Sequence, residues 1–169
     1  MHPKELIRKF LCKHGNTWLL RYCHIDVKPL THFSQNKNIH GDSIATCVLP
    51  NIVGNKFAHN CICASIILFF EPKYFCNDYL TTLQQAYLLH EMGHMYRSMY
   101  YPEHDETGTP NDEEYAHMWA VKHAYDNSYT EIYSMLVDMA KEMWTSNRAP
   151  YHRIYKQICC EGYCNDYPF

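Results

Sequence analysis

The sequence predicts an α+β protein, and three observations lead there. Short apolar runs bounded by turn residues lie in the first half, stretches with helical spacing fill the second half, and no linker, repeat or low-complexity tract divides the 169 residues. Strands first and helices afterwards is the order of an α+β chain, not of alternating βα units. The length suits one domain, so residues 1–169 are read as a single domain.

Each element has a local reason. Residues 3–13 set Leu6, Ile7, Phe10 and Leu11 on one side of a short helix. Thr17 to Val27 is aromatic and aliphatic and reads as a strand. Ser43 to Leu49 reads as a second strand, stopped by Pro50, and Cys61 to Phe70 as a third, ended by Pro72. Pro29 to Asp42 is polar and loop-like, and Gly54 with Asn55 signals a turn. Asp78 to Tyr101 contains no Pro, and its apolar residues Leu80, Leu83, Tyr87, Met95 and Met99 recur at helical spacing until Pro102. Thr109 at the N-cap, Pro110 in the first turn and the acids Asp112 and Glu113 near the positive end of the dipole start a helix that runs to about Tyr125. Further helices are expected over Ser128 to Ser146 and Tyr151 to Cys160, with Gly162 as a stop.

Composition excludes several classes. Apolar residues make up 47% and charged residues 20%, which is ordinary for a globular protein and argues against disorder. The net charge is −3 without a basic cluster, so no nucleic-acid partner is expected. The N-terminal residues MHPKELIRKF lack the apolar core of a secretion signal. The longest apolar run, Cys61 to Phe70, falls far short of the roughly 20 residues a membrane span needs. A cytoplasmic chain without a membrane partner is the expectation. The nine cysteines are odd in number and irregular in spacing, which fits reduced thiols better than a disulfide framework.

One motif carries chemistry. His90-Glu91-Met92-Gly93-His94 is H-E-x-x-H within the long helix. Histidines four apart share a helical face one turn apart, so both rings can reach one ion at about 2.0–2.1 Å. Glu91 follows the first histidine and can approach a metal-bound water without being a ligand, as a general base must. With twelve His in the chain a chance match arises about one time in twenty, and the helical context favours the functional reading.

Zinc needs a third protein ligand and a place for water. Arg97 and Tyr100 stand where the extended metzincin pattern wants Gly and His, which excludes that pattern. His104 lies in the following loop. Glu113 and Glu114 lie on the next helix, which could pack antiparallel and bring a carboxylate to the metal.

The HEMGH motif, followed about twenty residues on by Glu113-Glu114-Tyr115-Ala116-His117-Met118-Trp119-Ala120, resembles the gluzincin pattern and, more narrowly, the ImmA/IrrE-like metallopeptidases. Their second helix tends to read Glu-x-x-Ala-Asn/Asp-x-Phe-Ala. Ala116, Trp119 and Ala120 match it and place the third ligand at Glu113, whereas His117 departs from it. The resemblance spans roughly residues 60–125 and implies a zincin-like fold: a small sheet, the HExxH helix, the Glu-bearing helix and C-terminal helices. It also implies that residues 61–70 line the cleft and pair with an extended substrate. A weaker resemblance is to SprT-like proteases, whose downstream His-Gly pair and zinc-ribbon cysteines are missing here.

The expectation is therefore a Zn2+ centre of His90, His94 and Glu113 with Glu91 as base, hydrolysing peptide bonds of a protein or peptide substrate. An unidentified regulatory partner stays open, although the chain carries no recognisable regulatory segment. The alternative is a non-catalytic zincin-like binding or structural protein, which would have no need of Glu91. Tyr100, Tyr115, His123 and His152 are candidates to stabilise an oxyanion. Cys159, Cys160 and Cys164 cluster, and Cys61 and Cys63 alternate, but neither set forms Cys-x-x-Cys hooks. Met92, Met95, Met99, Met118, Met135, Met139 and Met143 read as core.

Overall fold

Apolar spacing, capping residues and proline placement produce the helices much where the sequence sets them. The computed structural model describes residues 2–14, 23–27, 45–48, 64–68, 78–100, 110–145 and 152–161. The chain divides into two units, residues 1–81 and 82–169.

In the first unit, helix α1 (Pro3–His14) buries Leu6, Ile7, Phe10, Leu11 and His14 on one face, with the Phe10 and His14 rings in contact. Three short strands follow: β1 (Cys23–Val27), β2 (Ala45–Val48) and β3 (Ala64–Leu68). Their order is β1-β3-β2. β3 lies parallel to β1, with Ile25 opposite Ile66, and antiparallel to β2, with Cys47 opposite Ile66.

The second unit is helical throughout its described residues. Helix α2 (Thr82–Tyr100) carries HEMGH, and Thr81 supplies an N-cap residue type before it. Helix α3 (Pro110–Asp126) starts on the proline that fits a first helical turn. Helices α4 (Thr130–Thr145) and α5 (His152–Glu161) complete the unit. Between α3 and α4 the chain reverses in a Schellman motif. Tyr129 N–H donates to Ala124 O at 2.9 Å and Ser128 N–H to Tyr125 O at 3.0 Å, with Ser128 at φ 58°.

The α+β expectation is overturned here. Among the described residues, the unit that carries the motif is all-α and the chain is helix-dominated, with five helices of ten to nineteen residues against three strands of four or five. The reason is that the helices carry apolar faces of their own, and each of the five buries apolar side chains there. Ile7, Leu11, Leu88, Leu89, Met92, Met95, Met118 and Leu136 are the largest of them, and burying each such side chain contributes roughly 1.5–3 kcal/mol.

Other differences are smaller. Helix α2 begins at Thr82 rather than Asp78. Its core face is Leu88, Leu89, Met92 and Met95, while Leu83 and Tyr87 remain half-buried. Met118 is core, as the sequence suggests, whereas Met135 and Met139 are only half-buried; the side chains of Met99 and Met143 lie outside the described residues. Among the described residues, no helix is long and apolar enough to cross a membrane.

Candidate metal centre

The site is built where α2 and α3 cross, and a glycine permits the crossing. A Cβ on Gly93 would come within 2.7 Å of the Ala116 Cα and collide with the Ala116 carbonyl oxygen. Only a residue without a side chain lets the two backbones meet there. Gly93 precedes His94, and Ala116 precedes His117 and lies one turn beyond Glu113, so this contact sets the distance between the histidines and the carboxylate.

Across the crossing, His90, His94 and Glu113 converge, each offering one ligand atom, all within 4.8 Å of one another. His90 Nε2 lies 3.2 Å from His94 Nε2 and 3.0 Å from Glu113 Oε2. His94 Nε2 lies 3.4 Å from Glu113 Oε1. Ligands at about 2.0–2.1 Å from a tetrahedral ion stand about 3.3–3.4 Å apart, so three donors at these separations fit one such ion. Two imidazole lone pairs and a carboxylate facing one another at this range repel unless a cation, either a proton or a metal, lies among them. Glu113 responds to this field. Burial alone would raise its carboxyl pKa, but the charge of His94 and hydrogen bonds from His90 and His94 outweigh burial and hold it well below the ordinary 4.5.

The surroundings are polar and yet enclosed. His90, Glu91, His94 and Arg97 on α2 and Glu114 and His117 on α3 are all buried. Glu113 keeps 37% of its side-chain surface accessible, so the cluster opens towards solvent on the α3 side. His117 lies beneath His90, with the two Nδ1 atoms 3.1 Å apart. Its Nε2–H donates to the Leu136 carbonyl of α4 at 2.8 Å. Burial, reinforced by the nearby charge of His90, pulls the His117 pKa down to about 3, so that ring stays neutral.

The other sequence candidates fall as follows. Glu91 is buried on α2 directly after His90. Glu114 is buried on α3 but is not among the convergent donors. His104 and the side chains of Tyr100 and His152 lie outside the described residues. The Tyr115 ring has the Arg97 guanidinium carbon 5.0 Å from its centroid, a cation–π arrangement. His123 stacks on Trp119, which in turn stacks on Tyr96. Cys159 and Cys160 are free thiols, and among the described residues no cysteine joins a group of metal donors. Cys61, Cys63 and Cys164, and most of the 61–70 segment, lie outside the described residues.

Two residues matter more than sequence reasoning gave them. Gly93 sits deep in a long helix, where Gly costs about 1 kcal/mol relative to Ala, and that cost was the available signal of a close approach. Arg97 served in the sequence only to exclude a pattern, and its burial against Tyr115 had no sequence signal.

No family model, curated protein or solved structure matches this chain. The site therefore stands on its own geometry.

Proposed function

We propose that this chain is a zinc-dependent metallopeptidase of the gluzincin type, cleaving peptide bonds of protein substrates, with His90, His94 and Glu113 as ligands. The observation that carries the reading is the mutual spacing of the three donor atoms, 3.0–3.4 Å, on two helices locked at a glycine. Two imidazoles and a carboxylate form a donor set that suits zinc, and a bound zinc ion would polarise the scissile carbonyl and acidify water. Glu91 follows a ligand on the same helix and is buried, which supports its role as the base that takes a proton from the attacking water and passes it to the leaving amine. The solvent-accessible side of Glu113 supports access for water and substrate. The likeness of HEMGH and Glu113-x-x-Ala116 to the ImmA/IrrE-like pattern adds to this reading.

The test is elemental analysis of the protein purified without chelator or histidine tag, beside His90→Ala and Glu91→Gln. The expected result is one zinc per chain, lost in His90→Ala and kept in Glu91→Gln. Against fluorescently labelled casein, Glu91→Gln should lose about 10²–10⁴-fold in rate. Iron in place of zinc, no metal after zinc is supplied, or full activity in Glu91→Gln would overturn the proposal.

A further inference from the structure

We propose that His117 is a positioning residue: it fixes His90 in the tautomer that leaves Nε2 free to bind a metal, and it does so by tethering the ring to the backbone of α4. The consequence for metal binding rests on the function proposed above, whereas the tautomer does not.

The argument is a count of protons. A backbone carbonyl has none to give, so the 2.8 Å contact between His117 Nε2 and Leu136 O requires the proton on Nε2. A neutral ring protonated there has only a lone pair at Nδ1. That atom lies 3.1 Å from His90 Nδ1 in a buried setting, so His90 donates its Nδ1–H. With its Nδ1–H committed to His117, the nitrogen that His90 can offer a metal is Nε2, the atom 3.0 Å from Glu113 Oε2 and 3.2 Å from His94 Nε2; without a metal, a proton on Nε2 can make the contact to Glu113. The opposite assignment needs protons on both nitrogens of His117, a cation at 2% exposure, which is costly to bury.

Helix α3 thus holds His90 by both ring nitrogens. Glu113 and His117 are four residues apart, one turn, as His90 and His94 are on α2. The tether ends on Leu136, so a ligand on α2 is oriented through α3 by a carbonyl of α4. A hydrogen-bonded partner on the far nitrogen fixes a ligand ring and raises its basicity, and losing it typically costs 10–100-fold in metal affinity.

The test uses the whole chain, free of metal, with ¹⁵N-labelled histidine at about pH 8, above the ordinary histidine range. Long-range ¹H–¹⁵N spectra should show His90 protonated at Nδ1 before zinc is added, and still protonated at Nδ1 with Nε2 bare once it is bound. Zinc titration should show an affinity about 10–100-fold weaker in His117→Ala. His117→Asn keeps an acceptor and should recover part of that loss. If His117→Ala does not fold, the wild-type spectrum and His117→Asn decide. A wild-type His90 without a proton on Nδ1, or a folded His117→Ala that binds zinc like wild type, overturns the proposal. The expected tautomer in a wild type that takes up no zinc would support the tether and remove the metallopeptidase reading alone.

Discussion

The second unit contains two kinds of helix. Helix α4 is a plain amphipathic element: Ile132, Leu136 and Ala140 are buried at four-residue intervals, while Glu131, Ser134, Asp138, Lys141 and Glu142 face solvent. Helix α2 has no such division around its motif. Every residue from 88 to 95 is buried, more than two full turns, and three of them are His90, Glu91 and His94. Enclosing ionisable side chains costs free energy, and α4 bears no such cost on its apolar face. The difference teaches that α4 is there for packing, whereas α2 and α3 spend packing quality on holding a polar cluster.

The contrast can be broken by mutation, and the largest effect should come from the plain helix. Leu136→Ala removes a fully buried side chain but leaves its carbonyl, so it should cost about 2–5 kcal/mol in denaturant unfolding with the zinc stoichiometry of the folded protein intact. Metal lost in proportion to stability would erase the distinction between the two helix types. Gly93→Ala should do the reverse of what helix propensity suggests. The methyl meets the backbone of Ala116, so the variant should lose about 1–3 kcal/mol and bind zinc at least tenfold more weakly. A stabilised variant with unchanged zinc affinity would mean that the helices do not cross closely at Gly93.

Acid should discriminate between the regions as well, because the titrating groups lie at the α2–α3 crossing. His117 has its folded pKa depressed from 6.5 to about 3. Below 6.5 the unfolded chain takes up a proton that the folded chain refuses, so metal-free stability is full above 6.5 and falls as pH drops towards 3. Glu113, held well below 4.5, adds a second loss as pH falls from 4.5 through its folded pKa. Urea midpoints measured from pH 8 to pH 4 should fall for the wild type, and His117→Asn should flatten the part above pH 4.5. An unchanged slope would show that His117 is not buried neutral. The smallest effect lies far from the cluster. Ser128 holds φ 58°, a left-handed conformation that disfavours side chains, so Ser128→Gly should raise stability by about 0.5–1 kcal/mol without altering metal binding.

Much of the cluster was legible because it is written at helical spacing. His90 and His94 share a face by periodicity alone, and Pro110 marked the start of the helix that carries Glu113. The short runs at 23–27, 45–48 and 64–68 do form strands, yet the class inferred from them was wrong, because three strands of four or five residues are outweighed by longer helices, and the described residues of the unit with the motif contain no strand. His117 was visible only as a departure from a pattern. Its use depends on a carbonyl nineteen residues away, and no local rule reaches that far.

Local spacing settled the helices, the shared face of the two histidines and the place of Glu91 beside them, because a helix repeats every few residues and its geometry needs no partner. Three-dimensional packing settled the remainder. It brought Glu113 rather than Glu114 to the histidines, closed the crossing on Gly93 and set His117 beneath His90. These are contacts between helices, governed by how closely two backbones approach and which way each is turned, and that is a property of the packed pair and not of either segment alone.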